Sequence, residues 1–196
     1  MTEASAEPAI RRLRPTDWPL VETLFGPNGA CGGCWCMHWR VEKGGRTWEA
    51  MQGEPARRAF RDLVEGGEVH AVLALAGGRP VGWCCFGPRR QFPRLLRARS
   101  LQRERATEPW TVVCFFIARR WRAAGLGTRL LHAATEAAFA AGAPEVEGYP
   151  VNVRPGVTMP AAFAWTGVPA IFAAAGYRPV PARNSARSIY VRERTA

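Results

Sequence analysis

The segment with the clearest chemical potential is Arg119-Arg120-Trp121-Arg122-Ala123-Ala124-Gly125-Leu126-Gly127-Thr128, a basic, glycine-containing turn between an apolar run and a helical pattern. Glycines at 125 and 127 let backbone N–H groups approach a ligand with no Cβ in the way. The helix that follows adds its unpaired N–H groups and the positive end of its dipole. Such a turn cradles anions, phosphates above all. Each of Arg119, Arg120 and Arg122 adds charge-assisted hydrogen bonds of about 1.5–3 kcal/mol where it is partly desolvated. Two familiar phosphate motifs do not fit: a dinucleotide fingerprint needs Gly or Ala where Leu130 stands, and a P-loop needs Lys and then Ser or Thr where Thr128-Arg129 stands. An ordinary strand-to-helix turn with incidental arginines is the other reading of the same residues.

A second concentration is Cys31-Gly32-Gly33-Cys34-Trp35-Cys36-Met37-His38, three thiols and an imidazole in eight residues. These are ligand types suited to zinc or iron, yet the sequence has no second CxxC or HxxxH pair to complete a structural site, so no metal is assigned. Two other readings stand beside it: a pocket lining made by Cys34, Trp35, Cys36, His38 and Trp39, and the packing of a glycine-rich loop. Cys114 lacks a neighbour that would lower its pKa and reads as a core thiol.

The elements that must position these groups follow from period and punctuation. Residues 9–14 form a first strand stopped by Pro15, and a helix capped at Thr16-Asp17 carries Leu20, Val21, Leu24 and Phe25 at helical spacing. Residues 28–45 have no clear period and read as a loop or short helix. A second helix spans 54–64, and strands at 69–75 and 81–86 make an antiparallel hairpin through Gly77-Gly78. An arginine-rich excursion occupies 88–108. Residues 111–117 are apolar on both faces, as expected of a central strand covered by helices. The helix from Leu126 ends at Gly142; a strand over 145–151, a short helix over 169–175 and a last strand over 188–192 complete the chain. The order β, α, α, β, β, β, α, β, α, β describes a mixed α/β domain.

Arg122-x-x-Gly125-x-Gly127, with the strand before it and the long helix after it, resembles the pyrophosphate motif of the GNAT superfamily of N-acetyltransferases. The opening Ile10-Arg11-Arg12-Leu13-Arg14-Pro15-Thr16-Asp17 and the late Gly176-Tyr177 are similar to the family as well. The resemblance implies a mostly antiparallel sheet with a central splayed parallel pair and helices on both faces. It also implies acetyl-CoA as donor substrate and direct transfer to an amine acceptor. By position, Phe115, Phe116 and Ile117 would supply backbone groups to the pantetheine arm and the thioester oxyanion, and Arg122, Ala123, Ala124, Gly125, Leu126, Gly127 and Thr128 the pyrophosphate cradle. The loop holding Cys34, Trp35, Cys36, His38 and Trp39 would line the acceptor pocket. The tyrosine that protonates the leaving thiolate in many members is Phe172 here. The nearest substitutes are Glu147 and Tyr149, a base and an acid on one face of the 145–151 strand by period-2 alternation. Strand residues paired with arginines are the alternative.

Length and composition frame these expectations. The chain of 196 residues is 47% hydrophobic, enough for one core, so residues 9–196 are expected to form a single domain behind a disordered leader at 1–8. No run approaches about 18 apolar residues and the N-terminus has no signal-peptide pattern, which points to a cytoplasmic protein without a membrane partner. The formal net charge is +11, and all but one of the 27 basic residues are arginine. Such a field attracts anions and disfavours polycationic acceptors. The other function classes to weigh are a nucleic-acid-binding module using Arg89 to Arg105, and a non-catalytic acetyl-CoA sensor. The acceptor's identity and the oligomeric state, a homodimer included, are not legible.

Overall fold

The computed structural model describes residues 7–42, 44–152, 164–181 and 187–195; most of the expected leader lies outside them. Strand β1 (Ala9–Arg12) leads into helix α1 (Trp18–Phe25). The turn between them is fixed by Arg11, whose guanidinium holds Asp17 through two hydrogen bonds of 2.6 and 2.8 Å. Helices α2 (Arg46–Met51) and α3 (Glu54–Glu65) follow, then the hairpin of β2 (His70–Ala76) and β3 (Arg79–Pro88). A short helix α4 (Pro93–Leu96) lies in the arginine-rich stretch. Next come β4 (Trp110–Ile117), α5 (Leu126–Ala140), β5 (Glu145–Gly148), α6 (Pro169–Ala174), β6 (Arg178–Val180) and β7 (Ile189–Glu193).

The expected order is recovered with three additions, α2, α4 and β6, each too short to show a period. Two expected strands are shorter: β1 ends at Arg12 rather than residue 14, and β5 ends at Gly148 rather than Val151, which makes only an isolated bridge to Arg187.

The strands form one sheet in the order β1-β2-β3-β4-β5-β7-β6. Every neighbouring pair is antiparallel except β4 and β5. Strand β4 is the fourth of seven, the position its two apolar faces require. On one face α1, α3 and the 28–41 loop pack over Leu73, Trp83 and Cys85; Phe60 of α3 stacks on Phe25 and meets Trp83 edge-on. On the other, Leu126, Leu130, Leu131, Ala134 and Ala138 of α5 cover Cys84, Val112 and Phe115. The i, i+4 spacing read in the sequence is this stripe.

The arginine-rich excursion is tied down by one buried carboxylate. Glu147, fully buried on β5, accepts from Arg105 Nε and Nη2 at 2.8 and 3.0 Å, from Arg103 Nε at 2.7 Å and from the Tyr149 hydroxyl at 2.6 Å. Arg103 also binds Glu145, and Arg89 lies 3.8 Å from Glu147. Burial pushes the Glu147 carboxyl up, but the hydrogen bonds from Arg105 and Tyr149 and the charges of Arg105 and Arg103 outweigh it and hold it below the ordinary range. Arg90 pairs with Glu108, and Arg97 with Glu42. Five of the excursion's seven arginines therefore face acids of this chain, and the stretch is tied down as a structural strap.

Removing Glu147 strands two guanidiniums in a buried site, at a cost of about 3–5 kcal/mol. Urea unfolding of Glu147→Gln should show that loss at neutral pH. Because the folded-state pKa is depressed, the stabilisation is full above the unfolded carboxylate range and disappears as pH falls through the folded value. The difference between the two proteins should accordingly shrink in acid. Equal midpoints at pH 7 would contradict this role.

Candidate functional site

Strands β4 and β5 are paired only from Trp110 to Val112, opposite Val146 to Gly148, and then part. A cavity of about 420 Å³ opens at the parting. Of the residues expected at a donor site, Phe115, Phe116, Ile117, Arg122, Ala123, Gly125, Leu126, Gly127 and Thr128 line it, and Ala124 does not. Ala30, Cys31, Trp121, Trp165 and Ile171 are also in the wall.

The floor at the 122–128 end is backbone. Ala123 and Gly125 take left-handed conformations, φ 60° and 75°, which turns the chain sharply into α5. The first helical bond in the turn runs from the Arg129 N–H to the Gly125 carbonyl at 3.2 Å, so the N–H groups of Leu126, Gly127 and Thr128 precede the ladder and point out of the helix end. A Cβ at Gly127 would meet only Ile117 and Ile171 side chains at 3.7–3.8 Å, so the fold has room for a side chain there. Arg122 folds back, its Nε donating to the Ile117 carbonyl at 2.8 Å, with the guanidinium in solvent. Arg119 and Arg120 are exposed beside it. The turn has the chemistry of a pyrophosphate cradle: unpaired amides, a helix dipole and three cations.

Along β4 the backbone alternates between β3 and the cavity. Phe115 directs its N–H away from β3, donating to the Trp165 carbonyl at 2.7 Å; Ile117, two residues on, has the same orientation. Phe116 therefore turns its backbone polar groups to Trp83 on β3, and only its side chain reaches the cavity. Of the three expected backbone donors, two face the gap. Residues 165–167 occupy part of that gap, because Gly167 also accepts from the Val151 N–H at 2.9 Å.

The loop expected to form the acceptor pocket divides into two groups. Trp35 and Cys36 are buried in the core: Trp35 packs on Trp18 and Phe25, and Cys36 accepts from Trp83 Nε1 at 3.2 Å. Their left-handed backbone, φ 44° and 54°, is the strain that turns them inward. Cys34 is partly buried, and burial raises its pKa. His38 and Trp39 instead join Trp48 and Trp165 in an aromatic cluster, the imidazole meeting the three indoles edge-on with centroids 4.9–5.2 Å away. Burial, with the charges of Arg94 and Arg187, lowers His38 to about 4, so the ring is neutral at neutral pH. Trp165 links the cluster to the cavity, since it touches His38 and lines the cavity wall. Among the described residues no three His, Cys, Asp or Glu side chains could hold a metal ion.

Glu147 and Tyr149 lie in the buried arginine cluster and do not line the cavity. Burial and the Glu147 charge push the Tyr149 hydroxyl up, away from an acid's range. Phe172 is fully buried against Phe115, Tyr177 and Tyr190, its ring pressed over Gly148, where a Cβ would come within 2.0 Å. The residues missed in the sequence, Ala30, Trp48, Arg94 and the Trp165 carbonyl, come from loops or from helices too short to show a period, and Cys31 was read only as a member of the thiol cluster. Their one signal was the density of tryptophan in a loop.

A family model described as Acetyltransferase (GNAT) family matches residues 37–152. Among curated proteins none matches the chain. Solved structures resemble it in fold at low identity. A GNAT-family acetyltransferase from Listeria monocytogenes shares 11% identity with a TM-score of 0.56, covering 98% of each chain. PaiA N-acetyltransferase from Thermoplasma acidophilum, in complex with coenzyme A, shares 11% identity with a TM-score of 0.55 over 96% of this chain and all of the other. A phosphinothricin acetyltransferase from Sinorhizobium meliloti, in complex with AcCoA, shares 13% identity with a TM-score of 0.54 over 96% of this chain and 89% of the other. With a family model spanning more than half its length, a seven-stranded sheet with one parallel pair, and a glycine turn at the head of α5, the chain belongs to the GNAT acetyltransferase family.

Proposed function

We propose that this protein binds acetyl-CoA, with the pyrophosphate on the head of α5 and the pantetheine arm between β4 and β5, and transfers the acetyl group directly to an amine. The observation that carries this reading is the cavity of about 420 Å³ joining the parted strands to the unpaired amides of the glycine turn. The amine nitrogen attacks the thioester carbonyl carbon; the C–S bond breaks, coenzyme A leaves as thiolate, and the nitrogen gives up a proton.

In this reading the backbone carries much of the work. The Ile117 N–H faces the developing oxyanion, and the Phe115 N–H joins it once the Trp165 carbonyl releases it. One such donor contributes roughly 3 kcal/mol to the barrier. The proton from nitrogen passes to water; His38, whose Nδ1 is turned to Arg94, lies on the acceptor side of Trp165. Glu147 and Tyr149 have a structural role, and with Phe172 in the usual acid's place the thiolate takes its proton from water.

That phenylalanine and the occupied Phe115 N–H also favour a second reading, a protein that binds acetyl-CoA without turnover. Thiol release from acetyl-CoA separates the two. Wild-type protein should release coenzyme A only when an amine from a panel of amino acids, arylalkylamines and peptides is present. Gly127→Asp sets a carboxylate against the pyrophosphate and should weaken acetyl-CoA binding about 100-fold. Gly127→Ala should bind far better than Gly127→Asp, and both should unfold at the wild-type temperature because the site has room for a Cβ. Saturable binding with no release for any amine would leave the non-catalytic reading. Undiminished binding by Gly127→Asp would overturn the cradle.

A further inference from the structure

Beside the proposed acetyl site, the fold holds a cation with no anion to answer it. Arg94 of α4 is partly buried, and no carboxylate among the described residues pairs with it; its nearest side-chain partners are the His38 ring, Nη1 to Nδ1 at 3.4 Å, and the Trp48 indole, 6.0 Å from ring centroid to Cζ. Burial lowers its pKa. The chain fixes the Arg94 backbone on one side and crowds its guanidinium on another. The Arg94 N–H donates to the Trp39 carbonyl at 3.3 Å, and the backbone of Gly44 passes so close that a Cβ there would lie 3.2 Å from Nη2.

With Nδ1 of neutral His38 accepting from Arg94, the ring carries its proton on Nε2 and becomes a donor on its far side. On the open side of Arg94 lies a groove of about 380 Å³ bounded by Trp39, Arg97 and Glu42. Glu42 there is matched by Arg97 at 3.7 Å, so the groove keeps the charge of Arg94. A second guanidinium, that of Arg187, lies over the Trp165 ring at 5.4 Å and hydrogen-bonds to Thr166.

Holding a partly desolvated guanidinium without a counter-charge costs stability, and a fold that keeps one beside an imidazole and an indole is complementary to an anion with a flat or apolar body. We propose that the amine acceptor of this protein also carries a carboxylate, bound by Arg94 beside His38, with its body against Trp39, Trp48 and Trp165: an amino acid or an acceptor with that pairing of groups. This rests on the transferase reading for the amine's role, while the carboxylate site stands on Arg94 alone. It gives the aromatic cluster a purpose that packing does not, since packing needs no guanidinium against its central imidazole. It also agrees with a chain whose positive field repels polycationic amines.

The test uses product-like pairs that differ only in the carboxylate, so that binding is read without turnover. Calorimetric titration of the full chain with N-acetyl-L-tryptophan against N-acetyltryptamine, and with N-acetyl-L-leucine against N-acetylisopentylamine, should show at least tenfold tighter binding of the carboxylate member in one pair or both. Arg94→Gln should abolish that preference, and Arg94→Lys should keep part of it. Acetyl-CoA titrated into Arg94→Gln should bind as it does to wild type. No carboxylate preference in either pair, or a preference that survives Arg94→Gln, would overturn the proposal. A carboxylate preference in a protein that does not bind acetyl-CoA would uphold the anion site and sink the transferase reading instead.

Discussion

Everything in this molecule that bears on function depends on two neighbouring strands ceasing to pair. β4 and β5 share three residue pairs and then separate, and a strand that loses a neighbour leaves a row of N–H and C=O groups that must find other partners. The local sequence enforces the separation. Gly148 accepts the Phe172 ring where any Cβ would collide with it, and the next residues, Tyr149 and Pro150, send one side chain into the arginine cluster and offer no N–H at the other. On β4, the freed Phe115 N–H is taken by the Trp165 carbonyl, while the Ile117 carbonyl is taken by Arg122. A ligand with amides of its own can compete for such positions, which is what a pantetheine arm would bring.

The charge of the chain has a similarly local explanation. A net +11 suggests an anionic partner, but Arg89, Arg103 and Arg105 of the 88–108 stretch are turned inward onto Glu145 and Glu147, where they fasten a long irregular segment to β5. The arginines given a ligand here are few: the solvent-facing ones at the head of α5, and Arg94 beside His38 and Trp48. In this account two anions, a pyrophosphate and a carboxylate, are met at two separate places, and the wall between them is Trp165.

The parts of this arrangement that were legible in the sequence are those governed by a period or by backbone chemistry. The apolar run at 111–117 placed the central strand, the Leu126, Leu130 and Leu131 stripe placed α5, and Gly125 with Gly127 placed the turn between them, because each reflects a rule that acts within a few residues. The acceptor side was legible only in outline. Trp35 and His38 sit three residues apart in one aperiodic loop, yet one is core and the other faces a cluster. What separates them is the left-handed turn at Trp35-Cys36, which no periodicity announces. Glu147 and Tyr149 shared a face as alternation requires, but the arginines that claim them come from more than 40 residues away, a distance over which a single sequence carries no pairing signal. Arg94 belonged to a run of arginines that looks uniform in sequence and differs in the fold only by what each member faces.

The central claim is that the gap between β4 and β5, closed by the head of α5, is a donor site. Titration calorimetry of the unmodified chain with acetyl-CoA at moderate salt tests it most directly. The account predicts saturable micromolar binding with one site per chain. An absence of saturable heat, with the protein shown to be folded, would contradict it.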